Sequence, residues 1–259
     1  MIYITGDCHS NFIRFSADIF YEQKEMTNQD ENFVIITGDF GGIWDQEESK
    51  SEKYWLNWLE DKPFTTLFVD GNHENFDRLY SYPMIKWNGG FAHVIRHHVL
   101  HLMRGQVFTI EDKKFFTFGG ASSHDISGGI LEPDDPLFHE KRQRLDRMGA
   151  LYRVNHISWW KEELPTEYEM ETGRFNLAKH DNKVDFIISH SPSTSQLILM
   201  GGKGLYNGKG LYNPDRLTWY LDEIRVSTEY KRHFMGHMHV NKAINDRDIC
   251  LYEQIIRIN

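Results

Sequence analysis

Five short polar runs, spread along the chain, carry the side chains that could perform chemistry. They are Gly6-Asp7-Cys8-His9, Gly38-Asp39, Gly71-Asn72-His73-Glu74, Ser189-His190-Ser191 and Gly236-His237-Met238-His239. Together they offer carboxylate oxygens, carboxamide oxygens and imidazole nitrogens, which are ligands of divalent metal ions. Residues i and i+2 of an extended chain share a face, so His237 and His239 can point into one site. The pattern predicts a site for two metal ions.

Each run follows a short apolar segment that is typical of a buried β-strand. These segments are residues 2–4, 33–36, 65–69, 184–188 and 233–235. Their nearly continuous apolar character suits strands that are covered on both faces. In open α/β sheets, ligands gather beyond the carboxyl ends of the strands, and all five runs lie at that end. We therefore expect residues that are distant in sequence to converge there.

In this order, the runs resemble the signature of the calcineurin-like metallophosphoesterase superfamily. That signature reads Asp-x-His, Gly-Asp, Gly-Asn-His-(Asp/Glu), His and Gly-His-x-His, and every element is present between residues 7 and 239. The resemblance implies a four-layered α/β/β/α sandwich, in which two mixed β-sheets are flanked by helices. It also implies a single metallophosphoesterase domain over residues 1–259, similar to bacterial single-domain members.

The resemblance implies a role for each matching residue. The expected ligands of one ion are Asp7, His9, Asp39 and His239, and those of the other ion are Asp39, Asn72, His190 and His237. The carboxylate of Asp39 bridges the ions, and a water shared between them becomes a hydroxide that attacks phosphorus in line. Asp39 is thereby also an expected catalytic residue. Asn72 is also an expected substrate-binding residue.

His73 is adjacent to a ligand and is the second expected catalytic residue. An imidazole can carry a proton at working pH, so His73 could stabilise the transition state or protonate the leaving group. Glu74 could orient His73 or begin the helix that follows. The two divalent ions are expected to be Mn²⁺. Fe, Zn²⁺, Ni²⁺ and Co²⁺ also suit these ligands, because occupancy follows availability as much as affinity.

Arg153 belongs to a second likeness to bacterial members of the superfamily. In those members a Gly-Gly-Ala turn precedes an Arg, a Trp-Trp pair and an acid, and here the turn is residues 119–121 and the acid is Glu163. The guanidinium of Arg153 could bind a substrate phosphate through its planar fork. A surface ion pair is the alternative of equal weight. Relative to those members, residues 126–151 form a highly charged insert that we expect near the active site.

Two further patterns carry weaker predictions. The sequence GKGLYN occurs twice in tandem over residues 202–213, and its four glycines predict a loop. A loop without a role is favoured over one that contacts an anionic substrate. His93, His97 and His101 have a spacing of four, which would align them on a helix as a metal site. Their apolar neighbours favour an extended segment instead.

Helical signals lie between the strands. Apolar residues at helical spacing predict a helix over residues 11–24. Thr166 and Glu169 form the pattern of a capping box, which opens a helix. Asn213-Pro214 is typical of an N-cap followed by the first residue of a helix.

The bulk composition describes a globular protein with one large domain of 259 residues, of which 40% are hydrophobic. No run of 18 apolar residues is present, and the first strand begins at once. We therefore expect no membrane span and no signal peptide, and a cytoplasmic location. The net charge of −9 argues against a broad basic surface that binds nucleic acid, but it does not exclude a local basic groove. Oligomeric state is not predicted.

The leading hypothesis is a binuclear metal-dependent phosphoesterase that hydrolyses a phosphomonoester or phosphodiester, with a small phosphate ester or nucleotide as substrate. A serine/threonine phosphoprotein phosphatase is expected to have an Arg directly before the glycine that corresponds to Gly71. In this chain Asp70 occupies that position. A nucleic-acid phosphodiesterase would require a basic channel, which the charge balance does not indicate. A non-catalytic protein-binding scaffold would be expected to have lost ligands, and none is missing.

Overall fold

Strands and helices alternate along the chain. The structure, a computed structural model, describes residues 1–201 and 214–258. The strands are β1 (Ile2–Thr5), β2 (Phe33–Ile36), β3 (Thr65–Phe68), β4 (Met84–Trp87), β5 (Gly90–Arg96), β6 (Val99–Leu102), β7 (Gln106–Ile110), β8 (Lys113–Phe118), β9 (Ile130–Leu131), β10 (Arg153–Val154), β11 (Phe186–Ser189), β12 (Arg232–Met235), β13 (Lys242–Ala243), β14 (Asp248–Cys250) and β15 (Ile256–Ile258). The helices are α1 (Lys50–Glu60), α2 (Phe76–Leu79), α3 (Phe138–Met148), α4 (Glu167–Ala178), α5 (Thr194–Leu199) and α6 (Arg216–Ser227).

Most of the strands belong to two mixed sheets. The first sheet has the order β15-β1-β2-β3-β6-β5-β4, and its four central strands β1, β2, β3 and β6 are parallel. The second sheet has the order β13-β14-β12-β11-β8-β7, and β14, β12, β11 and β8 are parallel. Antiparallel strands complete both sheets at their edges. Strands β9 and β10 form a separate parallel pair.

Alternation along the strands of the first sheet produces two cores. Ile2 of β1 lies in a core between the sheets, together with Phe115 of β8 and Ile188 of β11. Tyr3, the next residue, points to the opposite face and packs in a core that includes Leu56 of α1. Successive side chains of a strand face opposite sides, so the first sheet is covered on both faces.

The second sheet is covered in the same way. On its outer face, Phe116 of β8 and Ile187 of β11 pack with Leu177 of α4 and Leu221 of α6. The order of layers is therefore helix, sheet, sheet, helix. This confirms the predicted four-layered α/β/β/α sandwich of two mixed sheets.

The predicted helix over residues 11–24 is wrong. The segment contains two short 3-10 turns, Ile13–Phe15 and Tyr21–Glu25, and Ser16 between them has an extended backbone. Phe15 and Phe20 are nevertheless buried in the core that includes α1. Tertiary burial of the aromatic side chains is satisfied here without a continuous helix, so apolar spacing alone misassigned the segment.

The capping predictions have mixed outcomes. The capping box of Thr166 and Glu169 is present at the start of α4. Helix α6, in contrast, begins at Arg216 and is capped by Asp215, whose carboxylate accepts the N–H of Thr218. The predicted start at Asn213-Pro214 is therefore wrong. Asn213 and the tandem GKGLYN sequence over residues 202–213 lie outside the described residues.

Residues 126–151, expected as an insert, contain β9 and α3. Among the described residues, α3 buries none of its side chains and ends at Gly149 in a left-handed conformation. It is thus a solvated surface helix. Strand β9 pairs with β10, which carries Arg153, and so connects this segment to the predicted site.

Candidate metal centre

The first ligand group comes from loops of both sheets. Asp7 and His9 follow β1, Asp39 follows β2, and His239 follows β12. One potential ligand atom from each of these four residues lies within 4.8 Å of the others. Nε2 of His239 is 3.2 Å from Oδ2 of Asp7, and Nε2 of His9 is 3.5 Å from Oδ2 of Asp39. Asp7 and Asp39 are buried, whereas His9 and His239 are partly open to solvent.

The second ligand group shares Asp39 with the first. It combines Asp39 with His190, which follows β11, and His237, which follows β12, and all three are buried. Nε2 of His190 is 3.2 Å from Oδ1 of Asp39. The two carboxylate oxygens of Asp39 thus face imidazoles of different groups. The backbone N–H of His237 donates to Asp7 at 2.9 Å and so fastens the second-sheet loop to the first sheet.

Asn72 follows β3, between Gly71 and His73. Its Nδ2 donates to Oγ of Ser123 at 3.4 Å, which leaves Oδ1 as the free face of the carboxamide. Oδ1 of Asn72 is buried and has no hydrogen-bond partner among the described residues, and the buried Nε2 of His190 faces the carboxylate of Asp39. His190 is oriented through its other nitrogen, because Nδ1 lies 2.8 Å from the carbonyl oxygen of Thr37. A carbonyl partner on one imidazole nitrogen is the usual support of a metal-ligating histidine.

The backbone of the site is strained. Left-handed φ angles occur at His9 (45°), Asp39 (45°), His237 (66°) and His239 (49°). Such angles cost about 1–3 kcal/mol for residues other than glycine, and they cluster at functional sites. The neighbouring glycines permit close approach: a Cβ on Gly71 would overlap Oδ1 of Asp39. The loops are therefore shaped to bring the ligand candidates together.

Burial and mutual contacts set the charges of these groups. Burial raises the pKa of Asp39, but His190 and the other imidazoles outweigh it and hold that pKa well below its usual range. Burial lowers the pKa of His190, but Asp39 outweighs it and raises that pKa to about 9. Burial, assisted by His190, lowers the pKa of His237 well below its usual value. Burial also lowers the pKa of His9. Asp39 is thus ionised and pairs with a protonated His190, whereas His237 and His9 are neutral.

Residues 1–241 match the family described as calcineurin-like phosphoesterase. The chain belongs to the calcineurin-like phosphoesterase family. This confirms the resemblance that the motifs carry, and the family implies metal-dependent hydrolysis of phosphate esters. No curated protein matches the chain. Among the described residues, every helix is too short or too polar to cross a bilayer.

The residues of this calcineurin-like phosphoesterase fit divalent metal ions. The buried Oδ1 of Asn72 has no hydrogen-bond partner among the described residues and can donate a lone pair to a cation. Nε2 of His190 faces the carboxylate of Asp39 and can do the same once its proton has left. The two groups also join hard carboxylate oxygens to borderline imidazole nitrogens, a donor set that suits Mn²⁺, Fe and Zn²⁺. The assignment of individual ligands stays a prediction.

His73 lies beside both groups without belonging to either of them. Its backbone N–H donates to Oδ1 of Asp39 at 2.9 Å. Its ring stacks on Trp44 at 5.5 Å between centroids and meets the ring of His9 edge-on at 4.8 Å. Burial lowers the pKa of His73, and Asp39 offsets only part of that effect. The ring is therefore held in place and neutral.

Glu74 has neither of the two expected roles. Helix α2 begins after Asn75, whose side chain caps it, and among the described residues the carboxylate of Glu74 forms no hydrogen bond with His73. Oε1 of Glu74 instead accepts the backbone N–H groups of Phe40 and Gly41, at 2.8 and 3.4 Å. Glu74 is fully buried, and burial raises its pKa well above the usual range. It holds the loop that carries Asp39.

Arg153 forms the ion pair of one predicted alternative, and its binding of a phosphate stays a prediction. It lies in the wall of a cavity of about 260 Å³, and it pairs with Asp125. The lining residues are Asp39, Asn72, His73, His124, Asp125, Leu151, Arg153, His237 and His239. Nε of Arg153 donates to both carboxylate oxygens of Asp125 at 2.9 Å, and Nη1 donates to the carbonyl of Ser158. Leu151 is the point at which the predicted insert reaches the cavity.

Sequence reasoning missed the loop after β8, which contributes Ser123 and His124. The hydroxyl and the backbone N–H of Ser123 donate to the carboxyl group of Glu163 at 2.9 and 3.0 Å. Oγ of Ser123 also accepts a hydrogen bond from Nδ2 of Asn72. Nε2 of His124 is 2.9 Å from Nε2 of His237. No family motif marks these residues. The polar run Ser122-Ser123-His124-Asp125 directly after a strand was the available signal.

The three histidines at a spacing of four lie on the hairpin of β5 and β6, which confirms the extended segment. His93 and His101 stack at 5.2 Å, and His101 reaches Asp70 at 3.1 Å. His97 lies apart from them, near His98 and Glu60 at the surface, where one potential ligand atom of each lies within 4.8 Å of the others.

Proposed function

We propose that the chain is a binuclear metal-dependent phosphoesterase that hydrolyses a small phosphate ester or a nucleotide. The observation that carries the proposal is the position of Asp39, whose carboxylate belongs to both ligand groups. A carboxylate shared between two groups of ligands is suited to hold two divalent ions at one phosphate. Mn²⁺ is the proposed ion, with Fe, Zn²⁺, Ni²⁺ and Co²⁺ as alternatives.

The proposed chemistry divides between the ions and the chain. When bound, two divalent ions supply positive charge to the phosphate oxygens and activate water for attack on phosphorus. The chain keeps Asp39 ionised and holds the ligands in place: Glu74 fixes the loop of Asp39, and Thr37 fixes the ring of His190. Such fixed groups reduce the reorganisation that the reaction needs.

His73 and Arg153 are proposed to act on the substrate itself, because both line the cavity beside Asn72. The ring of His73 can donate an N–H to an oxygen of the phosphate or of the leaving group. The guanidinium of Arg153 can bind phosphate oxygens as it binds the carboxylate of Asp125. A bound phosphate would then compete with Asp125 for the guanidinium group of Arg153.

The cavity supports a small substrate. Its volume of about 260 Å³ accommodates a phosphate with a modest leaving group. Asp70 occupies the position at which a phosphoprotein phosphatase is expected to have Arg. Its side chain is fully buried, and its Oδ2 accepts a hydrogen bond from Nε of Arg104 at 2.9 Å. This position offers no cation to a substrate, which disfavours the phosphoprotein phosphatase alternative. The net charge disfavours a nucleic-acid substrate.

A cytoplasmic location is part of the same proposal. Cys8 and Cys250 are free and buried, as expected in a reducing compartment. Fractionation of cells that express the tagged chain tests this point, and recovery in a membrane or secreted fraction would contradict it.

The activity is tested with metal-stripped protein and two model substrates, p-nitrophenyl phosphate and bis-p-nitrophenyl phosphate. Mn²⁺, Zn²⁺, Ni²⁺ and Mg²⁺ are added in turn. We expect metal-dependent turnover that is nearly abolished in Asp39→Asn, and the ratio of the two rates assigns a monoesterase or a diesterase. Turnover by Asp39→Asn close to that of the unmodified chain would refute the shared role of Asp39. Pure protein with no stoichiometric metal and no turnover after addition of Mn²⁺ would instead favour a non-catalytic scaffold.

A further inference from the structure

Glu60, His97 and His98 lie together at the opposite end of the first sheet from the candidate metal centre. Glu60 is the last residue of α1, and the two histidines connect β5 to β6. Strand β6 runs parallel to β3, and His98 precedes the first residue of β6, whereas Asn72 follows the last residue of β3. None of the three residues belongs to the ligand groups of the candidate metal centre. A role for them is therefore separate from the proposed hydrolysis.

The side chains of Glu60, His97 and His98 have the types and the spacing of a metal site. One potential ligand atom from each residue lies within 4.8 Å of those of the other two. Among the described residues, the other groups with ligand atoms this close are the two that share Asp39. Two imidazoles and one carboxylate form a donor set that binds Zn²⁺ and leaves a coordination position for water.

Backbone contacts hold this group in place before an ion binds. The backbone N–H of His98 donates to Oε2 of Glu60 at 2.8 Å, and Nδ1 of His98 lies 3.2 Å from Oε1. The carbonyl oxygen of His98 accepts the backbone N–H of Thr66 in β3 at 2.8 Å. The turn is thus fixed both to the end of α1 and to the sheet. Ligands that are fixed in this way lose little freedom on binding an ion.

The surroundings of the group attract a cation and let it enter. Oδ1 of Asp30 lies 3.6 Å from Nε2 of His98, so a second carboxylate adds negative charge beside Glu60. The side chain of His97 is exposed to solvent. His97, His98 and Asp30 also border a cavity of about 420 Å³. An ion can therefore reach the imidazoles from solvent.

We propose that Glu60, His97 and His98 form a further metal site, which binds Zn²⁺. Imidazole suits Zn²⁺, and a site of this kind binds Mn²⁺ the most weakly of the first-row divalent ions. Zn²⁺ should therefore fill this site, whereas Mn²⁺ should fill only the candidate metal centre. A bound Zn²⁺ joins the end of α1 to the turn between β5 and β6, and it stabilises the folded chain because it binds that state.

The test is a Zn²⁺ titration of the metal-stripped full chain by calorimetry, with the number of bound ions checked by metal analysis. We compare the unmodified chain with His97→Ala and with His97→Asp, which keeps one ligand oxygen. His139→Ala on the exposed helix α3 is the matched control. His97 is exposed, so its replacement leaves the core intact, and thermal unfolding of each metal-stripped variant checks this.

We expect His97→Ala to weaken one Zn²⁺ ion at least tenfold relative to the unmodified chain, since even supporting partners of ligands contribute 10–100-fold. The rise of Tm on addition of Zn²⁺ should be smaller in this variant, because one stabilising ion is lost. His97→Asp should retain more affinity than His97→Ala, and His139→Ala should bind as the unmodified chain does. Turnover of p-nitrophenyl phosphate with Mn²⁺ should be equal in all four proteins.

Two outcomes would overturn the proposal while the proposed function stands. One is an equal number of Zn²⁺ ions with equal affinities in the unmodified chain and in His97→Ala, which would leave the three side chains with hydrogen bonds alone. The other is an equal loss of Zn²⁺ affinity in His139→Ala, which would make the effect unspecific. The comparison with His97→Ala does not depend on how many ions the candidate metal centre binds. Failure of the proposed function is seen separately, as absent turnover with Mn²⁺.

Discussion

At the residue scale, Asp39 links the two halves of the site. Its Oδ1 lies 3.2 Å from His190 and accepts the backbone N–H of His73, while its Oδ2 lies 3.5 Å from His9. The left-handed backbone of Asp39 turns the carboxylate into this position. A carboxylate that is ionised and buried has lost its hydration, so positive charge close to it stabilises the site.

His73→Ala should separate catalysis from metal binding. We expect both ions to remain, because His73 belongs to neither ligand group, and kcat to fall by roughly 10²–10⁴, the usual effect of a positioned acid–base group. The measurement combines metal analysis with the rate of p-nitrophenyl phosphate hydrolysis, and His139→Ala is the control. Loss of an ion in His73→Ala would mean that His73 is a ligand.

Arg153→Lys should raise KM by about tenfold with unaltered metal content, because lysine lacks the planar fork that matches a phosphate. Arg142→Lys on α3 is the matched control, since Arg142 lies on the exposed face of the predicted insert. Steady-state kinetics over a range of substrate concentrations measures the effect. An unchanged KM would mean that Arg153 pairs with Asp125 and does not bind the substrate phosphate.

The sequence indicates which residues converge, because each ligand candidate belongs to a motif that directly follows a strand; their roles as ligands stay predictions. It predicts poorly the residues that hold the loops of these candidates in place. Glu163 and Glu74 bind backbone and hydroxyl groups of loops that are distant in sequence, at Ser123 and Phe40 respectively. Such pairings depend on which loops meet in the folded chain, which no local pattern records.

At the element scale, the loops beyond the parallel strands form the site. The first sheet supplies the loops of Asp7, Asp39 and Asn72, and the second supplies those of His190 and His237. Parallel strands end at a common edge, and this places the motifs together. The apolar strands predicted this convergence, whereas the apolar spacing of residues 11–24 did not predict its 3-10 turns.

Gly71→Ala should damage the site more than the fold. The added Cβ would overlap Oδ1 of Asp39, a clash with the carboxylate that both ligand groups share. We expect metal affinity to fall more than tenfold and turnover to be lost. Gly149→Ala is the matched control: its φ of 61° makes alanine strained there, but no atom lies within 4 Å of the added Cβ. It should lower the unfolding free energy by about 1 kcal/mol and leave metal binding unchanged. Equal metal affinity in the two variants would contradict the close packing at Asp39.

At the scale of the whole molecule, folding buries groups that titrate. Glu163 is 2% exposed, and burial raises its pKa to about 8, although hydrogen bonds from Ser123 lower it in part. The folded protein therefore binds this proton more tightly than the unfolded chain does. The resulting stabilisation is complete below the unfolded pKa of about 4.5 and is lost as the pH rises through about 8.

Glu163→Gln should remove this pH dependence. In metal-stripped protein, the unfolding free energy should fall between pH 5 and pH 8 by up to about 1.4 kcal/mol per unit from this group, and the glutamine variant should lack that contribution. Urea denaturation at several pH values measures it, with the exposed Glu171→Gln as control. Parallel curves for the unmodified chain and Glu163→Gln would show that Glu163 is ionised in the fold.

The central claim is that one carboxylate joins two metal ions. Electron paramagnetic resonance of the Mn²⁺-loaded protein tests it most directly, because two ions that share a bridging ligand are magnetically coupled. We predict two Mn²⁺ per chain with the spectrum of a coupled pair, and in Asp39→Asn weakened binding and loss of the coupling. Two uncoupled ions in the unmodified chain, or an unaltered coupled spectrum in Asp39→Asn, would contradict the bridging role of Asp39.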